Sequence, residues 1–374
     1  MSSRKIFAIP LLLIIVSFAT SCGLTKKPKP LDSATLLEIA RHYGQGVHSS
    51  KVYAAAPHAA RPKISPEMLE PEQDYMRPIK LYFSQGNYDQ LEKAAREARE
   101  GKGRVFGGAW KVMKFYEAVH VALFNENSGE SDWKIYFDAL KDWVKAKPQS
   151  VSARISLAEG YVAYGRLARG SGYADTVSPN DWRLQAERVA LAASILSDAA
   201  KLSEKDPFWY EEMMCVALAQ GWDKAQAREL MELGIAFEPD FLHFYREHAN
   251  YLQPRWYGEQ GEVEAYAEEV SNRVGGMEGD KLYFEISGLV ACQCDATKEA
   301  LKGFSWPRIQ SGYYALEQLY GLTFYKRNTF ASMAYKADDK PAARVAFEAI
   351  GENWDQTVWV KRERFDAAKA WASQ

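Results

Sequence analysis

From about Asp74 onward, apolar and alanine-rich residues recur at i, i+3 and i+4, and this spacing limits what the chain can fold into. Tyr88, Leu91, Ala95 and Ala98 make one apolar face. Val112, Phe115, Tyr116, Val119 and Leu123 make another, and Ile135, Tyr136, Ala139, Leu140 and Trp143 a third. A strand alternates apolar and polar residues with period two, and no β-branched run of useful length does so between hairpin turns. The spacing predicts an all-α fold.

Helix boundaries carry their own chemistry. Ser178-Pro179-Asn180-Asp181 places a capping hydroxyl before proline at the first helical position, with an acid at the third. The unpaired N–H groups of a helix start want that acceptor and that negative charge. Asp206-Pro207 repeats the logic before Phe208-Trp209-Tyr210. Lys340-Pro341 opens another helix, and Gly351 suits its end.

The helices pair at short intervals. Four segments approximate the tetratricopeptide pattern, in which small residues sit where helices cross and aromatics fill the gaps. Leu157-Ala158 and Tyr161 fit one first helix after Pro148. Val216-Ala217 follows Pro207, and Ala249 with Leu252 follows Pro239. Phe330-Ala331, Ala343 and Phe347 fit a fourth hairpin that turns between Lys336 and Lys340. Pro207 and Pro239 are 32 residues apart, near the usual repeat of about 34. The wider gap from Pro148 to Pro207 implies an insertion. The expected architecture is a tetratricopeptide-like helical-hairpin solenoid.

Longer phrases narrow this. Gly107-Gly108-Ala109-Trp110-Lys111, Arg169 to Val177, Gln220-Gly221-Trp222, Pro254-Arg255-Trp256-Tyr257-Gly258 and the tail Asn328 to Trp359 resemble signatures of a bacterial domain of unknown function, number 4034 in its series. That resemblance covers roughly residues 75–360 and implies a tetratricopeptide-like fold. It implies no activity, so no catalytic residue is carried over.

The N terminus reads differently. Arg4 and Lys5 precede an apolar stretch from Ile6 to Ala19, and Ala19-Thr20-Ser21-Cys22 closes it. This order resembles a bacterial lipoprotein signal with its lipobox, although Ala19 stands where leucine is usual. Pro10 interrupts the stretch, and a spanning helix needs about 20 apolar residues. Three parts are expected: a signal peptide over 1–21, a lipidated flexible tether over 22–73, and a solenoid over 74–374. Within the tether a short amphipathic helix is expected near Ser33 to His42, followed by a stretch broken by Pro57, Pro62, Pro66 and Pro71. Lipid on Cys22 would place the protein in the bacterial cell envelope. Gly23 lacks the acidic character of an inner-membrane retention signal, so the expected site is the outer membrane, facing the periplasm.

Formal net charge is −2, with no basic footprint for nucleic acid. Beyond Cys22 the cysteines are Cys215, Cys292 and Cys294. An odd number of thiols in an oxidising compartment leaves structural thiols or one disulfide open, and no four-ligand metal site is completed. Gly101 to Gly108 lacks the Lys-Ser/Thr of a phosphate loop, and no H-E-x-x-H or G-x-S-x-G occurs. Acidic pairs such as Glu211-Glu212 and Glu268-Glu269 read as solvated faces of amphipathic helices. No enzyme, metal or cofactor is implied.

Three constellations remain. The insertion holds Arg169, Tyr173, Asp175 and Trp182 among small residues, either as a binding loop or as a plug over a hairpin end. Arg255, Trp256 and Tyr257 set a planar cation beside two rings, suited to stacking on sugar, clamping a carboxylate or locking a turn. Arg246 and Asn250 share a helix face at groove-lining positions, where both donate hydrogen bonds suited to a peptide carboxylate. The function expected is a non-enzymatic, membrane-anchored interaction scaffold that meets an envelope protein or peptide. A glycan- or small-ligand-binding lipoprotein is the alternative.

Overall fold

The computed structural model describes residues 30–45, 65–124, 129–170, 172, 174–291 and 298–374. Cys22, Tyr173, Cys292 and Cys294 lie outside the described residues, as do the whole leader and about half of the tether. Among the described residues there are 17 α-helices and no strand, only an isolated bridge between Arg104 and Trp110.

In chain order the helices are α1 (Ser33–Tyr43), α2 (Glu72–Ser84), α3 (Tyr88–Gly101), α4 (Lys111–Val121), α5 (Glu130–Ala146), α6 (Val151–Arg169) and α7 (Pro179–Ala199). They continue as α8 (Phe208–Gln220), α9 (Lys224–Phe237), α10 (His243–Tyr251), α11 (Glu262–Val274), α12 (Gly276–Ala291) and α13 (Trp306–Tyr320). The chain ends with α14 (Phe324–Lys336), α15 (Lys340–Ile350), α16 (Gln356–Trp359) and α17 (Arg362–Ser373).

The expected caps form. Ser178 Oγ accepts from Asp181 N at 3.2 Å and starts α7. Asp206 Oδ1 accepts from Phe208 N at 2.9 Å and starts α8. Asp339 Oδ1 accepts from Ala342 N at 3.0 Å at the head of α15, which ends at Gly351 with φ +66°. Each acceptor answers a helix-start N–H that has no partner inside its own helix.

The architecture is an all-α stack of helical hairpins of tetratricopeptide-like kind. Neighbours in sequence pack together: α6 on α7, α8 on α9, α10 on α11, α12 on α13 and α14 on α15. Every second helix also touches the next but one, so α4, α6, α8, α10, α12 and α14 form a continuous inner row. Contacts between the successive outer helices α7, α9, α11 and α13 are sparse. A row that is tight on one side and splayed on the other curves, as stacked hairpins do.

The curve is bridged by the turn between α3 and α4. Gly107 N donates to Tyr320 O at 2.8 Å, and Arg104 Cζ stands 5.8 Å from the Tyr320 ring centroid. Gly107 has φ +89°, and a Cβ there would run into Thr323 Cγ2. Gly321 has φ +78°, and a Cβ on it would run into the Phe106 ring. Glycine serves twice at this clasp, because only it takes the backbone turn and leaves the space. The same segment carries Trp110 against Phe241, with centroids 5.2 Å apart, and Tyr116 flat on Phe208 at 4.3 Å.

Two expectations differ from what is seen. Helix α1 forms inside the segment read as a tether, but it is not free: Leu36, Leu37, Ala40 and Tyr43 are buried against α7, α8 and α9. Its apolar face fills a groove beside Trp209 and Phe237, and the burial offsets the cost of ordering it. The folded body also takes in residues 65–73, since Pro66–Met68 makes a short turn against α13 and α2 begins at Glu72. In α5, Ile135 is exposed, and the buried stripe is Tyr136, Phe137, Leu140 and Trp143. Tyr136, Leu140 and Trp143 of the expected face are thus buried, and Phe137, which closes onto Gly160 with Tyr136, takes the place of Ile135.

Candidate functional site

The structure brings three of the sequence-selected residues together. Arg169, at the end of α6, lies between two indoles: its Cζ is 5.2 Å from the Trp182 centroid and 5.1 Å from that of Trp256. Its Nη1 donates to Gly170 O at 3.2 Å and Gly172 O at 3.0 Å. Arg255 Cζ is 5.8 Å from the Trp256 ring. Tyr257 stacks on Tyr251 at 4.9 Å and donates to Leu218 O at 3.1 Å. Asp175 sits exposed in a short turn, Ala174–Thr176. The guanidinium thus ties the insertion to the turn after α10, and the rings are occupied by internal partners. Of the two accounts of these residues, the geometry favours packing.

Arg246 lies elsewhere, on the inner row. Its Nη1 is 3.0 Å from Glu247 Oε1 and 3.3 Å from His243 Nε2. One turn on, Asn250 Oδ1 accepts from Gln253 Nε2 at 2.9 Å.

Around Arg246 runs a line of ionisable side chains that the sequence reading did not select. Helix α6 contributes Glu159 and Arg166, α8 contributes Glu211, Glu212 and Cys215, and α10 contributes His243 and Glu247. Helix α12 adds Glu278, Lys281 and Glu285, and α14 adds Lys326. Glu211 and Glu212 are 8% and 4% exposed. They are not a solvated pair, because α8 is packed on several sides by α6, α7, α9 and α10. The missed signal is two adjacent glutamates inside the otherwise apolar run Phe208 to Ala219.

The α12–α14 half is charge-matched. Lys281 Nζ is 3.3 Å from Glu278 and 3.6 Å from Glu285, and Lys326 Nζ is 3.5 Å from Glu285. Burial works against the charged Glu285, but Lys281, Lys326 and Arg246 outweigh it and hold its carboxyl down at about 2. Tyr320 Oη donates to Glu278 beside them.

The α6–α8 half is not matched. Glu159 Oε2, Glu211 Oε2 and Glu212 Oε2 are buried without a hydrogen-bond partner among the described residues. Glu159 meets His120 Nδ1 at 3.6 Å. Glu211 Oε2 lies 3.0 Å from His243 Nδ1, out of line for a hydrogen bond. Arg166 forms no ion pair among the described residues; its guanidinium is held charged by the Cys215 side chain, against burial, and further by Glu212 and Glu247. Burial pushes Glu212 up to about 8, against the pull of Arg166, and Glu211 and Glu247 raise it further. Burial and then Glu212 push Glu159 well above the carboxylate range. His243 moves the other way from its burial, because Glu211 and Glu247 favour the imidazolium.

Among the described residues no group of three or more His, Cys, Asp or Glu side chains is placed to hold a metal ion, and no helix is long and apolar enough to cross a membrane. No family model matches the chain, and neither the curated proteins nor the solved structures compared with it contain a significant match.

Proposed function

We propose that this protein is a non-enzymatic interaction scaffold of the bacterial cell envelope, tethered by lipid on Cys22, whose charged inner row meets a partner protein or peptide. The observation that carries the reading is a line of buried acids on that row: Glu159, Glu211 and Glu212 each keep one carboxyl oxygen without a hydrogen-bond partner among the described residues. Buried polar groups are nearly always satisfied, and each one left unanswered costs about 1–3 kcal/mol. A partner that completes them supplies a reason for their retention. Helical-hairpin stacks present such extended inner surfaces because each repeat buries its core only against its neighbours. Membership of the tetratricopeptide-like family named above goes with this reading, on the phrases at Gly107–Lys111 and Pro254–Gly258.

The glycan or small-ligand alternative asked for open aromatic faces. The rings best placed for it, Trp182, Trp256 and Tyr257, are occupied by Arg169 and Tyr251. The geometry therefore supports it less.

Affinity capture from detergent-solubilised envelope tests the scaffold. Arg246→Glu places a negative charge beside Glu247 and Glu285 and is expected to abolish capture. Arg255→Glu, at the turn after α10, is expected to leave capture within twofold. Capture indifferent to Arg246→Glu contradicts the assignment. Palmitate labelling tests the anchor: label enters the parent protein and is lost in Cys22→Ala, and an unlabelled parent removes the lipid.

A further inference from the structure

Helices α2 and α3 form a hairpin, and a cleft of about 590 Å³ lies between them. Cavities of this size hold small ligands. None of the ionisable side chains named along the inner row lines it. Its two walls differ in kind. Tyr75, Ile79 and Tyr82 come from α2 at i, i+4 and i+7, so they share one face of that helix. Across the cleft α3 offers Ala94 and Ala98, whose short side chains leave depth. Tyr82 packs against the core on one side and is half-buried, and among the described residues no ring or cation covers it. An open tyrosine on one wall and alanines on the other make a slot for a ring with an apolar face.

The polar groups of the cleft come as donors beside acceptors. Lys111 Nζ lies 2.8 Å from Glu70 Oε2 and 4.8 Å from the Tyr75 ring centroid. An ammonium that meets one carboxylate keeps further N–H groups for a ligand. At the rim Lys93 Nζ and Glu97 Oε1 stand 3.9 Å apart, both well exposed and too far apart for a hydrogen bond. Arg104 also lines the cleft, but it is turned to the Trp110 ring, 4.1 Å away, and donates to Asp240 O at 3.1 Å. Each ammonium left within reach thus has a carboxylate beside it.

That balance selects a class of ligand. An anion meets Glu70 and Glu97 wherever it meets Lys111 and Lys93, and a cation meets the reverse, so neither gains a net attraction. A wholly apolar molecule would cover these charges without answering them. A sugar ring meets both demands. Its C–H face is apolar and suits the face of a tyrosine. Each hydroxyl both donates and accepts, and so fits between an ammonium and a carboxylate. We infer that the α2–α3 cleft binds an uncharged pyranose, stacked on Tyr82, with its hydroxyls held by Lys93 and Glu97 at the rim and by Lys111 and Glu70 further in. Trp182 and Trp256 take no part. The site goes beyond the scaffold reading and uses none of the residues on which partner capture depends.

The test is isothermal titration, with ligand-detected saturation-transfer NMR, of the full-length protein in a zwitterionic, sugar-free detergent. The probes are cellobiose, maltose and N,N′-diacetylchitobiose. Glucuronate, glucosamine and cyclohexanol serve as anionic, cationic and apolar counterparts. The expected result is saturable binding of at least one neutral sugar, tighter than that of any counterpart. Tyr82→Ala removes the ring, and Ala94→Trp fills the slot without touching a polar group. Each, checked for folding by thermal melting, should weaken binding by about tenfold or more. Tyr314→Ala, an exposed ring on α13, should leave affinity unchanged. Arg246→Glu should also bind the sugar as the parent does, which separates this site from the scaffold. Failure of all the neutral sugars, a counterpart that binds as tightly, or affinity unchanged in both Tyr82→Ala and Ala94→Trp overturns the site. If sugar binding fails while Arg246-dependent capture persists, the cleft falls and the scaffold stands.

Discussion

Tyr43 lies flat against Trp209, with ring centroids 4.1 Å apart and planes 11° from parallel. Its hydroxyl accepts from Asp206 N at 2.8 Å. One residue of the N-terminal helix thus reaches the start of α8, the helix that carries Glu211 and Glu212. Tyr43→Ala removes a buried ring and a hydrogen-bond acceptor together, and is expected to cost about 3–5 kcal/mol. Urea unfolding of the lipid-free protein checks this. A loss below 1 kcal/mol would mean that α1 is an ornament on the folded body.

The clasp at Gly107 combines two separable costs. Alanine there meets Thr323 Cγ2 and also adopts φ +89°. Overpacking costs about 1–3 kcal/mol and the left-handed backbone about 1–2 kcal/mol. Gly107→Ala is therefore expected to destabilise strongly. The double variant with Thr323→Ser, which deletes the offending methyl, should recover only the first part. Full recovery would show that the backbone turn is not strained by a side chain.

Arg169 joins the insertion to the turn after α10 through two indoles. Each cation–π contact is worth about 0.5–1 kcal/mol at such half-open sites. Arg169→Ala should lower the unfolding free energy by about 1–2 kcal/mol and shift the emission of Trp182 and Trp256. An unchanged emission spectrum contradicts the sandwich.

His248 gives an acid limb. Burial, helped by Arg228, depresses its imidazole from the ordinary 6.5 to about 4, against Glu232, Glu262 and Glu269. A folded pKa below the unfolded one contributes stability above pH 6.5 that is lost as pH falls through 4. Thermal melts between pH 7 and pH 4 should decline steeply in the parent and less so in His248→Phe. Equal declines in both place the acid sensitivity elsewhere.

Glu212 gives the opposite limb. Its folded pKa, raised to about 8, makes its contribution fully present below 4.5 and lost as pH rises through 8. Glu212→Gln should melt higher than the parent at pH 8 and about equally at pH 4.5. A lower melting point at pH 8 would mean that the carboxylate has a partner in the fold.

Much of the fold was legible because helical periodicity, caps and proline punctuation are local. Ser178, Pro207 and Gly351 mark boundaries that α7, α8 and α15 respect. The clasp was not legible, since Gly107 and Thr323 meet only after the stack curves. Helix α1 was legible as amphipathic, but its seat beside Trp209 depends on three later helices. In the site, Arg246 was placed on an inner face by repeat register alone. Glu211 and Glu212 were misread as solvated because a charged pair gives no sign of being covered on several sides. Arg169, Trp182 and Trp256 were each singled out, yet they belong to one contact across residues far apart in sequence.

The account turns on whether the inner row is where another molecule sits. Site-specific photo-crosslinking in intact cells asks this directly, with a photoreactive residue at Asn250 on the inner row or at Val345, exposed on α15. The account predicts a discrete adduct from Asn250, lost when Arg246→Glu is added, and none from Val345. Adducts of equal yield from both positions, or from Val345 alone, would contradict it.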